Sequence, residues 1–189
     1  MSKKIILASN SPRRKELLAG LNIDFEVDTR NNFEEKFSYD VPHVKIPAMM
    51  SEGKSGGFHR ELEENEILIT SDTMVLCGDA VMGKPHSREE AVRMLQMLSG
   101  RSHEVITAVT IRDSRSQKTM SDTAIVHFRE LTEQEIGYYV DNYKPYDKAG
   151  AYGIQEWIGY VGITGIEGSY YTIMGFPVHL VYQLLQEFI

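Results

Sequence analysis

The chain has 189 residues, enough for one domain with a full core or at most two small lobes. Its 42% apolar and 25% charged residues are those of an ordinary globular protein, and no apolar run reaches the length of a bilayer crossing. A formal net charge of −7 argues against a broad nucleic-acid-binding surface, yet leaves room for a small cationic pocket. The apolar run after Lys3 and Lys4 is too short for a secretory signal, and the single cysteine, Cys77, excludes an internal disulfide. The expectation is a cytoplasmic protein with neither a membrane nor a nucleic-acid partner.

Lys4-Ile5-Ile6-Leu7 suits a short buried strand. Ser11 is a good N-cap and Pro12 fits the first helical position, so a helix from Pro12 to Ala19 is expected, with Gly20 as its stop. Arg13, Arg14 and Lys15 then fall in its first turn, the end of a helix dipole where cations are disfavoured by about 0.3–1 kcal/mol. A bound polyanion, such as a phosphate chain, reverses that sign by drawing N–H groups, hydroxyls and guanidiniums to one point. The alternative is a solvated helix start with its charges turned outward. Phe25-Glu26-Val27 reads as a strand, and Arg30 to Tyr39 as a polar loop holding Glu34 and Glu35. Val41 to Pro47, with two prolines, reads as an extended link. Ala48 to Lys54 reads as a weak helix whose end is blurred by Gly53, Gly56 and Gly57.

Glu66 to Cys77 is the strongest strand, β-branched and too apolar for a surface position, so it belongs in the middle of a sheet. Asp72 interrupts it, and a carboxylate among apolar neighbours is costly to bury without a partner. Gly78-Asp79 is a turn, with Ala80-Val81-Met82 as the returning strand. Ser87-Arg88-Glu89-Glu90 is a capping box for a helix to about Leu98, with Ala91, Met94, Leu95 and Leu98 on one face. Glu104 to Arg112 and Thr119 to Arg129 read as strands. Thr132-Glu133-Gln134-Glu135 opens a helix ending near Asn142. Tyr146 to Gln155 is neither helix nor clean strand, and its glycines allow close backbone approach. Trp157 to Met174 reads as strands punctuated by Gly162, Gly165 and Gly168. A last helix runs from about Val178 to Phe188, with Leu180, Val181, Leu184, Leu185 and Phe188 inward. Alternating strands and helices define an α/β class, and the hairpin makes the sheet mixed.

The chemistry-bearing residues are the cations Arg13, Arg14, Lys54 and Lys84, the carboxylates Asp72, Glu34 and Glu35, and the polar loop ending at Gln155. Hydrolysis of a phosphoanhydride needs this mixture. Cations neutralise phosphates, carboxylates hold a hard divalent metal, and one carboxylate takes a proton from water. Gly83-Lys84 lacks the Walker A spacing, no serine sits in a nucleophile elbow, and no histidine pair has zinc-ligand spacing. Each candidate has a plainer reading. Asp72 could bond backbone N–H groups at a strand end, although its strand continues through Met74-Val75-Leu76. Lys84 could be a turn lysine, Lys54 an exposed one, and Glu34 and Glu35 a solvated loop. The six histidines are scattered, and Trp157 reads as core rather than as a platform for a base.

Leu7-Ala8-Ser9-x-Ser11-Pro12-Arg13-Arg14-x-Glu16-Leu17-Leu18 resembles the N-terminal signature of the Maf family of nucleoside triphosphate pyrophosphatases. Three further blocks agree in order: Ser71-Asp72-Thr73-Met74-Val75 with Gly83-Lys84-Pro85, then Met94-Leu95-x-x-Leu98-Ser99-Gly100-Arg101-Ser102-His103. The last is Asp147-Lys148-Ala149-Gly150-Ala151-Tyr152-Gly153-Ile154-Gln155, followed by Ile166-Glu167-Gly168-x-Tyr170 and Gly175-x-Pro177. The match spans nearly the whole chain as a single Maf-like domain, residues 1–189.

The resemblance implies an α/β fold related to inosine triphosphate pyrophosphatases. It implies an elongated mixed sheet flanked by helices and two lobes around a central cleft. It also implies hydrolysis of a nucleoside triphosphate to monophosphate and pyrophosphate with a divalent cation, Mg²⁺ or Mn²⁺. Asp72 matches the family's proton acceptor, with Lys84 beside it in the catalytic set. Arg13, Thr73 and Gln155 match positions linked to base selectivity and resemble the subgroup acting on dTTP and UTP. The subgroup acting on 7-methyl-GTP departs at the arginine and threonine positions. Ser9, Arg14, Lys54 and one of Glu34 or Glu35 match other polar pocket positions. The implied metal ligands are Asp72 and that glutamate. From Arg30 to Phe58 the chain departs from the family pattern, with Ala48-Met49-Met50-Ser51-Glu52-Gly53 in place of an Ala-rich run before Lys54. Two rival readings are a nucleotide-sensing regulator of cell division, in line with the family's link to septum formation, and a house-cleaning enzyme for modified nucleotides. The partner implied is the triphosphate substrate, and a homodimer is compatible with the sequence but not required by it.

Overall fold

Strand β1 (Lys4–Leu7) and helix α1 (Pro12–Ala19) form as the local signals require: Ser11 has extended backbone and its Oγ accepts the Arg14 N–H, with Pro12 next. The computed structural model describes residues 3–36 and 40–189; residues 37–39, the end of the expected polar loop, lie outside the described residues. After α1 come β2 (Phe25–Val27), a 3₁₀ turn (His43–Lys45), α2 (Ile46–Gly56), β3 (Glu66–Cys77), β4 (Ala80–Met82) and α3 (Arg88–Leu98). Then follow β5 (Ser102–Arg112), β6 (Gln117–Phe128), α4 (Glu133–Tyr143), a 3₁₀ turn (Ala149–Ala151), α5 (Trp157–Gly162), β7 (Ile163–Glu167), α6 (Tyr170–Met174) and α7 (Val178–Leu185).

The seven strands form one sheet of order β2-β1-β3-β5-β6-β7, with β4 paired to β3. β1 is parallel to both β2 and β3, while β4 runs antiparallel to β3 and β7 antiparallel to β6. The class is therefore α/β with a mixed sheet flanked by helices, and β3 lies inside the sheet as its apolar sequence requires.

The chain divides into two units. The first comprises Met1–Asp72, Thr107–Asp122 and Gly175–Ile189. Register in it pairs Ile5 with Ile67, Ile6 with Leu68 and Leu7 with Ile69. Strand alternation then sends Ile5, Leu7, Ile67 and Ile69 into a cluster with Leu18, Phe176, Val181 and Leu184, and Ile6 and Leu68 into another with Phe58 and Leu62. The sheet is covered on both faces, and each fully buried Leu or Ile contributes about 1.5–3 kcal/mol. The second unit comprises Thr73–Ile106 and Thr123–Met174. Its core joins Leu95 and Leu98 of α3, Ile136 and Tyr139 of α4, Val126 and Phe128 of β6, and Tyr152 and Ile154 of the glycine-rich loop.

Three expectations are corrected. Val41 to Pro47 is not an extended link: it holds the 3₁₀ turn and the start of α2, with Pro47 in the first helical turn, where its missing N–H costs nothing. The helix expected from Ala48 to Lys54 runs from Ile46 to Gly56, because Ile46, Met50, Ser51 and Ser55 form a buried stripe that outweighs the glycine penalty. Ser51 and Thr70 fasten it to β3 by reciprocal bonds: the Ser51 Oγ donates to the Thr70 carbonyl at 3.2 Å and the Thr70 Oγ1 to the Ser51 carbonyl at 2.8 Å. Of Trp157 to Met174, only Ile163–Glu167 is strand; α5 and α6 flank it. Gly159 permits α5, since a Cβ there would lie 1.8 Å from the Ile154 carbonyl oxygen.

Candidate active site

Within the first unit, the β1–α1 junction is held by Arg14. Its Nε donates to the Gly175 carbonyl at 2.9 Å and its Nη1 to the Ser71 carbonyl at 2.9 Å, reaching the Ser9 Oγ at 3.5 Å. One guanidinium thus joins the end of β1, the residue before Asp72 on β3, and the approach to α7. Ser9 is buried, and its Oγ accepts the Ser11 N–H at 3.2 Å. Burial lowers the Arg14 pKa to about 10, with Asp72 opposing that shift and Arg13 adding to it. Arg14 is therefore still a cation at neutral pH, and a desolvated one. Arg13 precedes it in the first turn and is half-buried.

Asp72 is the last residue of the first unit's first segment and meets Lys54 of α2, whose Nζ lies 2.7 Å from its Oδ1. The same Nζ lies 2.9 Å from the Glu35 Oε1. Burial raises the Asp72 pKa above the ordinary aspartate range, and Lys54 and Arg14 restrain that rise. Desolvation that raises a carboxylate's pKa against neighbouring cations is a feature concentrated at functional sites. Between the two glutamates the structure distinguishes clearly: Glu35 pairs with Lys54, whereas Glu34 pairs with exposed Lys36.

Glu35 reaches Lys54 because of Phe33 and two glycines of the α2 end. The Phe33 N–H donates to the Asn31 Oδ1 at 2.8 Å, the Asn31 Nδ2 donates to the Lys54 carbonyl at 2.6 Å, and the Asn32 N–H donates to the Gly57 carbonyl at 2.8 Å. A Cβ on Gly53 would lie 2.3 Å from the Phe33 ring, and one on Gly57 would lie 2.6 Å from the Phe33 Cβ. The glycines that blur the helix in the sequence are the surface on which Phe33 lies. Phe33 is a residue the sequence reading missed, and three glycines within five positions of a helix were its only signal.

Mg²⁺ takes one or two carboxylates together with phosphate oxygens rather than an all-protein cage. Asp72 and Glu35, drawn to one ammonium, supply that donor set, so the residues fit such an ion. Among the described residues no cluster of three His, Cys, Asp or Glu is present that could hold a metal by itself.

Thr73, Lys84 and Gln155 belong to the second unit. Thr73 is the next residue of β3 and is half-buried. Lys84 is exposed just after β4, beside Gly83, whose carbonyl accepts the Gly150 N–H at 3.1 Å. Gln155 lines a cavity of about 340 Å³ with Tyr160, Thr164, Ile166 and Tyr170, and its buried Oε1 has no hydrogen-bond partner in the structure. Trp157 packs against the second core and edge-on to Tyr138, as a core residue would.

The chain is thus an α/β protein whose first unit gathers two cations, Arg14 and Lys54, and two carboxylates, Asp72 and Glu35, beside the middle of its central strand. It belongs to the Maf-like protein family, whose pattern matches residues 4–188. It is 48% identical over 185 residues to a protein of Parabacteroides distasonis described as a dTTP/UTP pyrophosphatase, covering 98% of this chain and 96% of that one. Proteins of the same description from Porphyromonas gingivalis and Bacteroides thetaiotaomicron are 46% and 47% identical, covering 98% and 97% of this chain and 94% and 95% of theirs. Among solved structures it is similar to a HAM1 protein from Coxiella burnetii, with 15% identity, a TM-score of 0.49, and coverage of 98% of this chain and 99% of that one. No helix among the described residues is long and apolar enough to cross a membrane.

Proposed function

We propose that the protein is a nucleoside triphosphate pyrophosphatase that hydrolyses dTTP and UTP to the monophosphate and pyrophosphate. The observation that carries this reading is the Asp72–Lys54–Glu35 constellation, with the half-buried Arg14 bonded to the carbonyl of Ser71, the residue before Asp72 on β3. The relatives' descriptions supply the substrate.

In this reading Arg14 and Arg13, at the start of α1, attract the triphosphate, and Lys54 holds Asp72 in place until the substrate arrives. Asp72 accepts a proton from the attacking water as its oxygen bonds to the α-phosphorus and the bond to the pyrophosphate oxygen breaks. A divalent cation held by Asp72 and Glu35, Mg²⁺ or Mn²⁺, supplies charge neutralisation at the phosphate oxygens when bound. Ser9 completes the polar wall beside Arg14. Lys84 is assigned to charge neutralisation, and Thr73, Gln155 and Arg13 to selection of the base, on the strength of the sequence blocks in which they stand.

Pyrophosphate release should be assayed on dTTP, UTP, dCTP and 7-methyl-GTP, with Mg²⁺, with Mn²⁺ and after chelation. The expected result is fastest release from dTTP and UTP and none without a divalent cation. Faster turnover of 7-methyl-GTP would overturn the substrate assignment, and tight nucleotide binding without product would favour a regulator instead.

A further inference from the structure

The backbone that carries Gln155 is strained and heavily braced, all within the second unit. Gly150 (φ +72°) and Ala151 (φ +60°) lie consecutively in the left-handed region, and Ala151, which pays a steric penalty there, is fully buried. Tyr152 and Ile154 pack into the core, and a closed polar network holds the residues between and after them. Tyr139 of α4 is fully buried; its hydroxyl donates to the Glu156 Oε2 at 2.6 Å and accepts the Gly153 N–H at 2.9 Å. Burial and the Glu156 carboxylate push the Tyr139 hydroxyl far above the ordinary phenol range, so its proton stays in place. The other oxygen of Glu156, Oε1, lies 2.9 Å from the Lys148 Nζ, which also meets the Asp147 Oδ1 at 2.8 Å; the Lys148 side chain is only 10% exposed. A Cβ on Gly153 would lie 2.9 Å from the Lys148 Cε and 3.2 Å from the Glu156 Cδ, so this network closes directly around that glycine.

Gly153 and Glu156 bracket Ile154-Gln155: one phenol hydroxyl binds the Gly153 N–H and the Glu156 carboxylate, and the Glu156 N–H closes the span on the Gly153 carbonyl at 3.0 Å. Fastening both ends of a two-residue span fixes where its side chains project, which a buried aliphatic contact alone does not do. The Gln155 Oε1 is left buried and unpaired beside the 340 Å³ cavity. A group held in that condition discriminates sharply between ligands that satisfy it and ligands that do not.

We infer that Tyr139, Glu156 and Lys148 are positioning residues for nucleobase selection: their network sets the Gly153–Glu156 backbone and so aims the Gln155 amide at the base. This inference rests on the function proposed above, through the assignment of Gln155 to the base.

Tyr139→Phe removes the shared hydroxyl and keeps the ring that fills the core. With the full chain, KM for dTTP and UTP should rise about tenfold, the scale of one unsatisfied buried group. The kcat should stay within about twofold, and the preference for dTTP over dCTP should shrink by a similar factor. Glu156→Gln, which retains an oxygen acceptor and the side-chain shape but drops the charge facing Lys148, should shift the same ratio less. A preference for dTTP over dCTP left unchanged in both variants, whatever happens to Tm, would overturn the inference and leave the network a purely structural brace. Absence of pyrophosphate release by the wild-type protein in the same assay would instead sink the proposed function, so the two failures are distinct.

Discussion

Asp72 shows at the scale of one residue how function is bought with stability. Its pKa is raised by burial, so its ionised form is held at a cost in the folded chain. The sign follows directly: a carboxylate raised in the folded state favours folding while protonated and loses that contribution as pH rises through its folded pKa. Asp72→Asn should therefore leave Tm at pH 7.5 unchanged or higher, with Lys54 keeping Glu35 as a partner, while kcat falls by about 100-fold or more. Thermal melts and pyrophosphate release on the same preparation check both halves. In the metal-free wild-type protein, the Asp72 carboxyl should titrate above the ordinary aspartate value of 3.8, read from its carboxyl NMR signal, and Mg²⁺ should draw it back down. Arg14 behaves differently, because two of its hydrogen bonds end on main-chain carbonyls. The sequence marks it as a candidate phosphate ligand; the structure shows that it is also a structural tie.

At the scale of an element, α2 is the most instructive. Its propensity is poor, and contacts to β3, to the 31–33 segment, and from Ser55 to Arg112 and Gln117 of β5 and β6 explain its full length. Those partners stand far away in sequence, so no local window could reveal them. Gly53→Ala tests the arrangement because two effects oppose each other. Alanine favours the helix by about 1 kcal/mol relative to glycine, but its Cβ displaces the Phe33 ring, and with it Glu35. The expected outcome is severalfold lower activity with Tm within a few degrees of wild type; wild-type activity would mean that Phe33 does not hold Glu35. In contrast α1, β3 and the β3–β4 turn match their sequence signals residue for residue, since caps and turns depend on neighbours only. The Ser87 cap shows the limit of such signals. Ser87 accepts the Glu90 N–H, but the Glu90 carboxylate takes the His86 N–H rather than returning to the cap residue.

Over the whole molecule, acid resistance is lodged in paired carboxylates found in both units. In the first, Arg60 donates twice to Glu66, whose side chain is 3% exposed and which also accepts the Glu63 N–H; this lowers the Glu66 pKa to about 2. In the second, Arg129 and the Thr132 N–H lower the Glu135 pKa to about 2 as well. A depressed carboxylate adds stability above its unfolded value that is lost as pH falls through the folded one. Stability should thus decline between about pH 4.5 and pH 2. Glu66→Gln should cost about 2 kcal/mol at pH 7 and little at pH 2.5, read from denaturant unfolding at both values. An equal cost at the two pH values would show that its charge is not what matters.

The sequence by itself determined the α/β class, the starts of α1, α3, α4 and α7, the central strand, and the identity of the cations and carboxylates among which its Asp72 lies. Each of these follows from a short window or from a recognisable block of residues. Only the tertiary structure decided that Glu35 rather than Glu34 meets Lys54, that Arg14 spans from Ser71 to Gly175, and that the stretch after Trp157 is largely helical. Each depends on partners brought together from distant positions, 161 residues apart for Arg14 and Gly175. Hydrophobic period and capping chemistry are silent about such meetings, because burial and hydrogen bonding act through space and not along the chain.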